Sequence, residues 1–102
     1  MDMEKFYEII QSQKPVLVEF YAEWCGPCRA MKPTLLDVAE RLGDHARIVQ
    51  IDIDKEKLLA EQFCIHSVPT LIIFKQGMQL WRQSGSLSSQ ALTKLLTDYA
   101  KK

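Results

Sequence analysis

Apolar positions change their period along this chain, and each change marks a new element. Residues 3, 6, 7 and 10 are apolar at helical spacing, and Lys14-Pro15 ends that segment. Val16–Tyr21 is β-branched and aromatic, with apolar residues on both alternating faces. That pattern predicts a central strand covered on both sides. Glu19 breaks it, a carboxylate where a buried strand should be apolar. Helical spacing returns over 28–42, with Met31, Leu35, Val38 and Leu42 in one stripe and Gly43 as the stop. Pro33 lies inside this helix and predicts a kink, because its ring removes an amide donor and crowds the Arg29 carbonyl.

The second half alternates differently. Val49, Ile51 and Ile53 share one face of a strand over 47–53, and Asp54 is placed to cap a short helix over 55–63. Residues 70–74 form a fully apolar strand. Lys75-Gln76-Gly77-Met78 then reads as a hairpin turn, and 79–83 returns as its partner strand. Ser88 or Ser89 caps a last helix to about Ala100, with Leu92, Leu95, Leu96 and Tyr99 as its inner stripe. The order α-β-α-β-α-β-β-α predicts an α/β class: a mixed sheet whose first two strands are parallel and last two antiparallel, flanked by helices on both faces.

With 102 residues the chain is expected to form one domain over 1–102. Thirteen basic residues balance thirteen acidic ones, so nothing in the charge points to a nucleic acid or an anionic membrane. No apolar run approaches the roughly 20 residues of a membrane-crossing helix. The first residues, MDMEKFYEIIQSQ, lack a basic segment followed by a long apolar one, so no signal peptide is expected. An intracellular, cytoplasmic protein is the expectation. Its three cysteines are too few and too odd in number for a disulfide-stapled scaffold.

Trp24-Cys25-Gly26-Pro27-Cys28 falls between the end of the first predicted strand and the start of a helix. A helix N-terminus offers unpaired amides and a positive dipole end, and both favour thiolate over thiol. Cys25 should therefore ionise readily, with Cys28 one turn further in and less exposed. Two intervening residues let the sulfurs reach each other, so the pair can cycle between dithiol and disulfide. Pro27 is tolerated in the first helical turn and stiffens the loop. Zinc is the alternative, with Cys64 and His66 completing four ligands on paper, although Cys64-Ile65-His66 is a weak second half of such a site. An iron–sulfur cluster normally takes four thiolates, and three are present. Cys64 otherwise reads as a small packing residue, and His45 and His66 as exposed loop residues.

Over essentially its whole length the chain resembles the thioredoxin family. VLVEFYAEWCGPCRAMKP, IVQIDID, SVPTLIIFKQG and SGSLS occur in the family's order and at its spacing. The resemblance implies a thioredoxin fold and a protein disulfide reductase recharged by a thioredoxin reductase, with NADPH electrons passed through that enzyme's flavin and no cofactor resident in this chain. It implies oxidised proteins as substrates, and a monomer is expected. By the same resemblance Cys25 is the attacking thiolate and Cys28 the resolving thiol. Glu19 stands at the buried acid that takes the Cys28 proton, and Pro69 at the cis-proline that presents Val68 to substrate. Trp24, Gly26, Pro27, Val68, Pro69 and Gly85 make the docking surface, and Gly77 serves the hairpin.

Three departures from the family pattern bear on function. The buried acid is Glu rather than the usual Asp, which moves the carboxyl by a bond and adds a rotor. Gln50 stands where a lysine is common on the adjacent strand, so a cation that would favour ionised Glu19 is absent there, and Glu19 is expected to ionise well above the usual carboxylate range. Only Met1 and Asp2 precede the first helix, so the family's first strand is expected to be absent or vestigial, leaving four strands. A rival reading keeps the fold but makes the chain a redox-switched partner of one dedicated protein, docked around Trp24 and Pro69.

Overall fold

The computed structural model describes residues 1–102. The elements are α1 (Met3–Ile10), β1 (Val16–Tyr21), α2 (Gly26–Leu42), β2 (Arg47–Asp52), α3 (Lys57–Gln62), β3 (Thr70–Lys75), β4 (Met78–Ser84) and α4 (Ser89–Ala100), with a short 3-10 turn, Gly43–His45, after α2. Both terminal helices start on side-chain caps. Asp2 accepts the Lys5 amide at 2.7 Å, and Ser88 accepts that of Ala91 at 3.1 Å.

The four strands lie in the order β2-β1-β3-β4. β1 runs parallel to β2 and antiparallel to β3, and β3 and β4 form the antiparallel hairpin. β1 and β3 are therefore interior, which explains why they are the two continuous apolar runs. Alternation along β1 splits the core between two layers. Val16, Val18 and Phe20 pack with Phe6, Ile9, Ile10 and Leu59, from α1 and α3. Leu17 packs on the other face with Met31, Leu35, Val38, Leu92 and Leu96, from α2 and α4. Glu19 has the parity of Leu17, which sends it to the α2 side of the sheet.

The structure moves several expected boundaries. α2 begins at Gly26 rather than 28, because Cys25 itself is the cap, and it runs unbroken through Pro33 to Leu42. Asp54 does not cap α3: the helix starts later, after Glu56, with no side-chain cap. Asp52 turns the chain instead. Its carboxylate reaches forward to the amides of Asp54 at 2.8 Å and Lys55 at 3.4 Å, the local bond that short Asp side chains favour at strand ends. In the hairpin turn Gln76 and Gly77 both have positive φ, 53° and 81°, as a two-residue turn matched to strand twist requires.

Cys64 is not a packing residue. It is exposed, with φ of 53°, at the end of α3. The Ile65 amide reaches back to the Ala60 carbonyl at 2.9 Å, so Cys64 occupies the left-handed position that closes a helix and usually falls to glycine. A side chain there costs about 1–2 kcal/mol, partly offset by the extra unfolded-state freedom a glycine would bring. Cys64→Gly is expected to stabilise the fold by about 0.5–1 kcal/mol, read as a rise of several degrees in Tm under reducing conditions. An unchanged or lower Tm would show that the position carries no strain.

Candidate active site

The redox pair sits where β1 hands the chain to α2. Cys25 is the N-cap of α2, with extended backbone, and its sulfur accepts the Cys28 amide at 3.2 Å. Gly26 and Pro27 fill the first two helical positions, where an amide has no intrahelical partner and proline costs nothing. Cys25 and Cys28 form a disulfide, with Cα atoms 5.3 Å apart. Once the bond is reduced, the Cys28 amide and the helix dipole act on Cys25 and favour its thiolate. The sulfurs are shielded, with Cys25 5% and Cys28 2% exposed.

The other residues expected at the docking surface come from the same stretch, Trp24, Gly26 and Pro27, and from two further segments, Val68-Pro69 and Gly85. Val68 is half-buried, and its carbonyl oxygen lies 3.7 Å from Cys25 Sγ. The Val68–Pro69 peptide bond is cis. Pro69 itself is buried, whereas Val68 is partly exposed. Gly85, with φ of 94°, donates its amide to the Pro69 carbonyl at 2.8 Å, which ties the end of β4 to that loop. Trp24, Gly26 and Pro27 are exposed.

Sequence reasoning missed what holds Trp24. The ring is 67% exposed, yet its indole N–H donates to Asp54 Oδ2 at 2.9 Å. Asp54 is 30 residues away in the chain and reads locally as a helix cap, so no one-dimensional signal links the two. A recess of about 240 Å³ beside the pair is lined by Tyr21, Ala22, Glu23, Cys28, Arg29 and Lys32. It reaches Cys28 rather than Cys25. Cys64 and His66 are not brought to the pair, and no group of three or more His, Cys, Asp or Glu side chains converges in a metal-holding arrangement.

Glu19 is 0% exposed. Its Oε1 accepts from Gln50 Nε2 at 2.9 Å, directly across the β1–β2 register, while Oε2 is buried without a partner. No hydrogen bond joins Glu19 to Cys28. Burial pushes the Glu19 carboxyl above its ordinary value of 4.5, opposed by the Gln50 hydrogen bond and by the Lys32 ammonium. The cation missing from the adjacent strand is thus partly replaced by one from α2, which sequence distance conceals.

A layered α/β sandwich carrying a Cys-X-X-Cys disulfide at the start of its first long helix, faced by a cis-proline loop, defines the class of small thiol–disulfide exchange domains. The thioredoxin family model matches residues 1–98. The chain is 47% identical over 88 residues to the chloroplastic thioredoxin Y of Oryza sativa, covering 85% of this chain and 52% of that protein. It is 35% identical over 97 residues to the bifunctional thioredoxin reductase/thioredoxin of Mycobacterium leprae, covering 95% of this chain and 21% of that protein. Among solved structures, a mutant thioredoxin of Halobacterium salinarum superposes with a TM-score of 0.89 at 31% identity, over 98% of this chain and 87% of that one. The chain belongs to the thioredoxin family. It spans about half the length of the plant relatives it matches.

Proposed function

We propose that this chain reduces protein disulfides by cycling Cys25 and Cys28 between dithiol and disulfide. The observation that carries this reading is Cys25 at the N-cap of α2 with the Cys28 amide on its sulfur. Cys25 thiolate attacks one sulfur of a substrate disulfide; the other leaves with the electron pair, and a mixed disulfide remains. Cys28 then gives its proton to Glu19 and attacks Cys25 Sγ, expelling the second substrate thiolate and closing the Cys25–Cys28 disulfide. Two electrons have passed to the substrate.

The exposed Trp24, Gly26 and Pro27 form one wall of the docking surface, and the Val68 backbone forms the other. An extended substrate segment can lie between them with its backbone paired to Val68, as a strand is added at an edge. Regeneration falls to a thioredoxin reductase that brings NADPH electrons through a flavin. The mycobacterial relative, a bifunctional thioredoxin reductase/thioredoxin, supports that pairing. No cofactor is resident in this reading, the domain acts as a monomer, and a reducing compartment such as the cytoplasm suits the cycle.

The test is the coupled reaction. With NADPH, a thioredoxin reductase and a disulfide-bonded test protein, the wild type should consume NADPH through many turnovers, and Cys25→Ser should consume none above background. Equal rates in the two would overturn the proposal. So would tight, stoichiometric binding of one protein without turnover, which is the mark of a dedicated redox-switched partner.

A further inference from the structure

The reaction as proposed needs Glu19 to take a proton, and the carboxyl has two oxygens in unlike surroundings. Oε1 lies 2.9 Å from Gln50 Nε2, and Oε2 has no partner although it is buried. Leaving a buried oxygen unpaired costs about 1–3 kcal/mol, so such an atom calls for a chemical reason. Gln50 is the residue directly opposite Glu19 on β2, and unlike Glu19 it is exposed. An amide nitrogen can only donate, so the oxygen it holds is the acceptor of the pair.

We propose that Gln50 is a positioning residue for proton transfer: its amide N–H pins Glu19 Oε1 and leaves Oε2 as the oxygen that takes the proton from Cys28. This deepens the reading of Glu19 as the base and rests on it. In the step, the Cys28 S–H bond breaks as an O–H bond forms at Oε2. The electron pair stays on Cys28 sulfur, which attacks Cys25 as the bond from Cys25 to substrate sulfur breaks. Gln50 gains and loses no proton. It removes a rotor from a side chain that is one methylene longer than the usual acid, so the free oxygen keeps one direction.

The surroundings let a neutral amide matter. Lys32 on α2 is the cation that acts on Glu19, the Cys28 thiol begins the same helix, and Tyr21 lies two residues along β1. The β3 residue in register is Leu71, and α4 offers Leu92 and Leu96 to this face. One hydrogen bond is therefore a large share of the polar contact that Glu19 receives.

The experiment follows the resolving step alone. Cys25 is charged with a chromogenic aromatic thiol as a mixed disulfide, and its release by Cys28 is timed across pH. The wild type, Gln50→Met, Gln50→Lys and Glu19→Gln are compared. Gln50→Met leaves the second Glu19 oxygen unpaired and should lower Tm by several degrees, so each variant is timed well below its own melting temperature. Gln50→Met removes a donor that favours ionised Glu19. It should lower the rate at neutral pH about three- to ten-fold and move the midpoint of the pH profile upward. Gln50→Lys supplies a charged donor and should move that midpoint downward. The midpoint belongs to the coupled Glu19–Cys28 pair, and the opposite signs are what a merely structural role would not produce. Midpoints that stay fixed, or move the same way in both variants, overturn the proposal for Gln50 while a slow Glu19→Gln leaves the base intact. A Glu19→Gln that resolves as fast as wild type overturns both.

Discussion

With Cys28→Ser, the cycle should stop after one half-reaction. Cys25 keeps its place at the N-cap of α2, so the attack on a substrate disulfide survives the change. No thiolate then stands one helical turn away to displace the mixed disulfide, and a serine hydroxyl at neutral pH does not attack sulfur. The expected result is a covalent complex of one chain to one substrate, seen by non-reducing electrophoresis or intact mass, and dissolved by added dithiol. Turnover in the coupled reaction should fall by at least about a thousand-fold, the scale seen when one member of a covalent catalytic unit is removed. The two sulfurs are inequivalent in the structure. Cys25 Sγ receives an amide and faces the Val68 carbonyl, whereas Cys28 is the less exposed and lines the recess. If Cys25→Ser traps substrate and Cys28→Ser does not, the roles are reversed.

Glu19→Gln should make the protein more stable at high pH while slowing it. Burial holds the folded carboxyl above its ordinary value of 4.5. Between that value and the folded one, the unfolded chain has lost a proton that the folded chain keeps. Folding therefore takes up a proton in this window, and stability falls as pH rises through it. The contribution of neutral Glu19 is fully present below about 4.5 and lost above the folded value. Each pH unit of the window is worth about 1.4 kcal/mol. Glutamine cannot titrate and still offers an amide to Gln50. The variant's stability curve should therefore be flatter, with its advantage over wild type greatest above the window and smallest near pH 4. Denaturant titrations at both ends check this, and parallel curves would show that Glu19 carries no buried charge. Resolution of the mixed disulfide at neutral pH should slow by about 10²–10⁴, the range for losing a positioned base.

Gln50 and Asp54 show where one-dimensional reading stopped. Gln50 looks like a lysine lost, because the alternation of β2 predicts only that it shares a face with Ile48 and Asp52. Parallel register makes it the hydrogen-bond partner of Glu19, and Lys32 approaches from α2 to act on the same carboxyl. Asp54 looks like a cap, because Asp before a helical stretch usually is one. Tertiary contact gives it Trp24, and the capping bond is never made. Cys64 looks like packing by residue type, and only the backbone conformation that ends α3 turns it outward.

What the sequence determined by itself is whatever short-range physics decides. Side-chain period distinguishes strand from helix because Cβ directions repeat every two or 3.6 residues. That sufficed for the eight elements, the central place of β1 and the Cys-X-X-Cys at a helix start. It also marked Glu19 as a carboxylate inside an apolar strand, without saying which groups surround it. The tertiary structure alone decided which long-range groups act on the site, because hydrogen bonds and charges fall off within a few ångströms and carry no trace of chain distance. The pairing of Glu19 with Gln50, the approach of Lys32, the hold of Asp54 on Trp24 and the Val68 carbonyl beside Cys25 all depend on where separate elements come to rest. They set the proton affinity of Glu19 and the surroundings of Cys25, which the motif WCGPC leaves open.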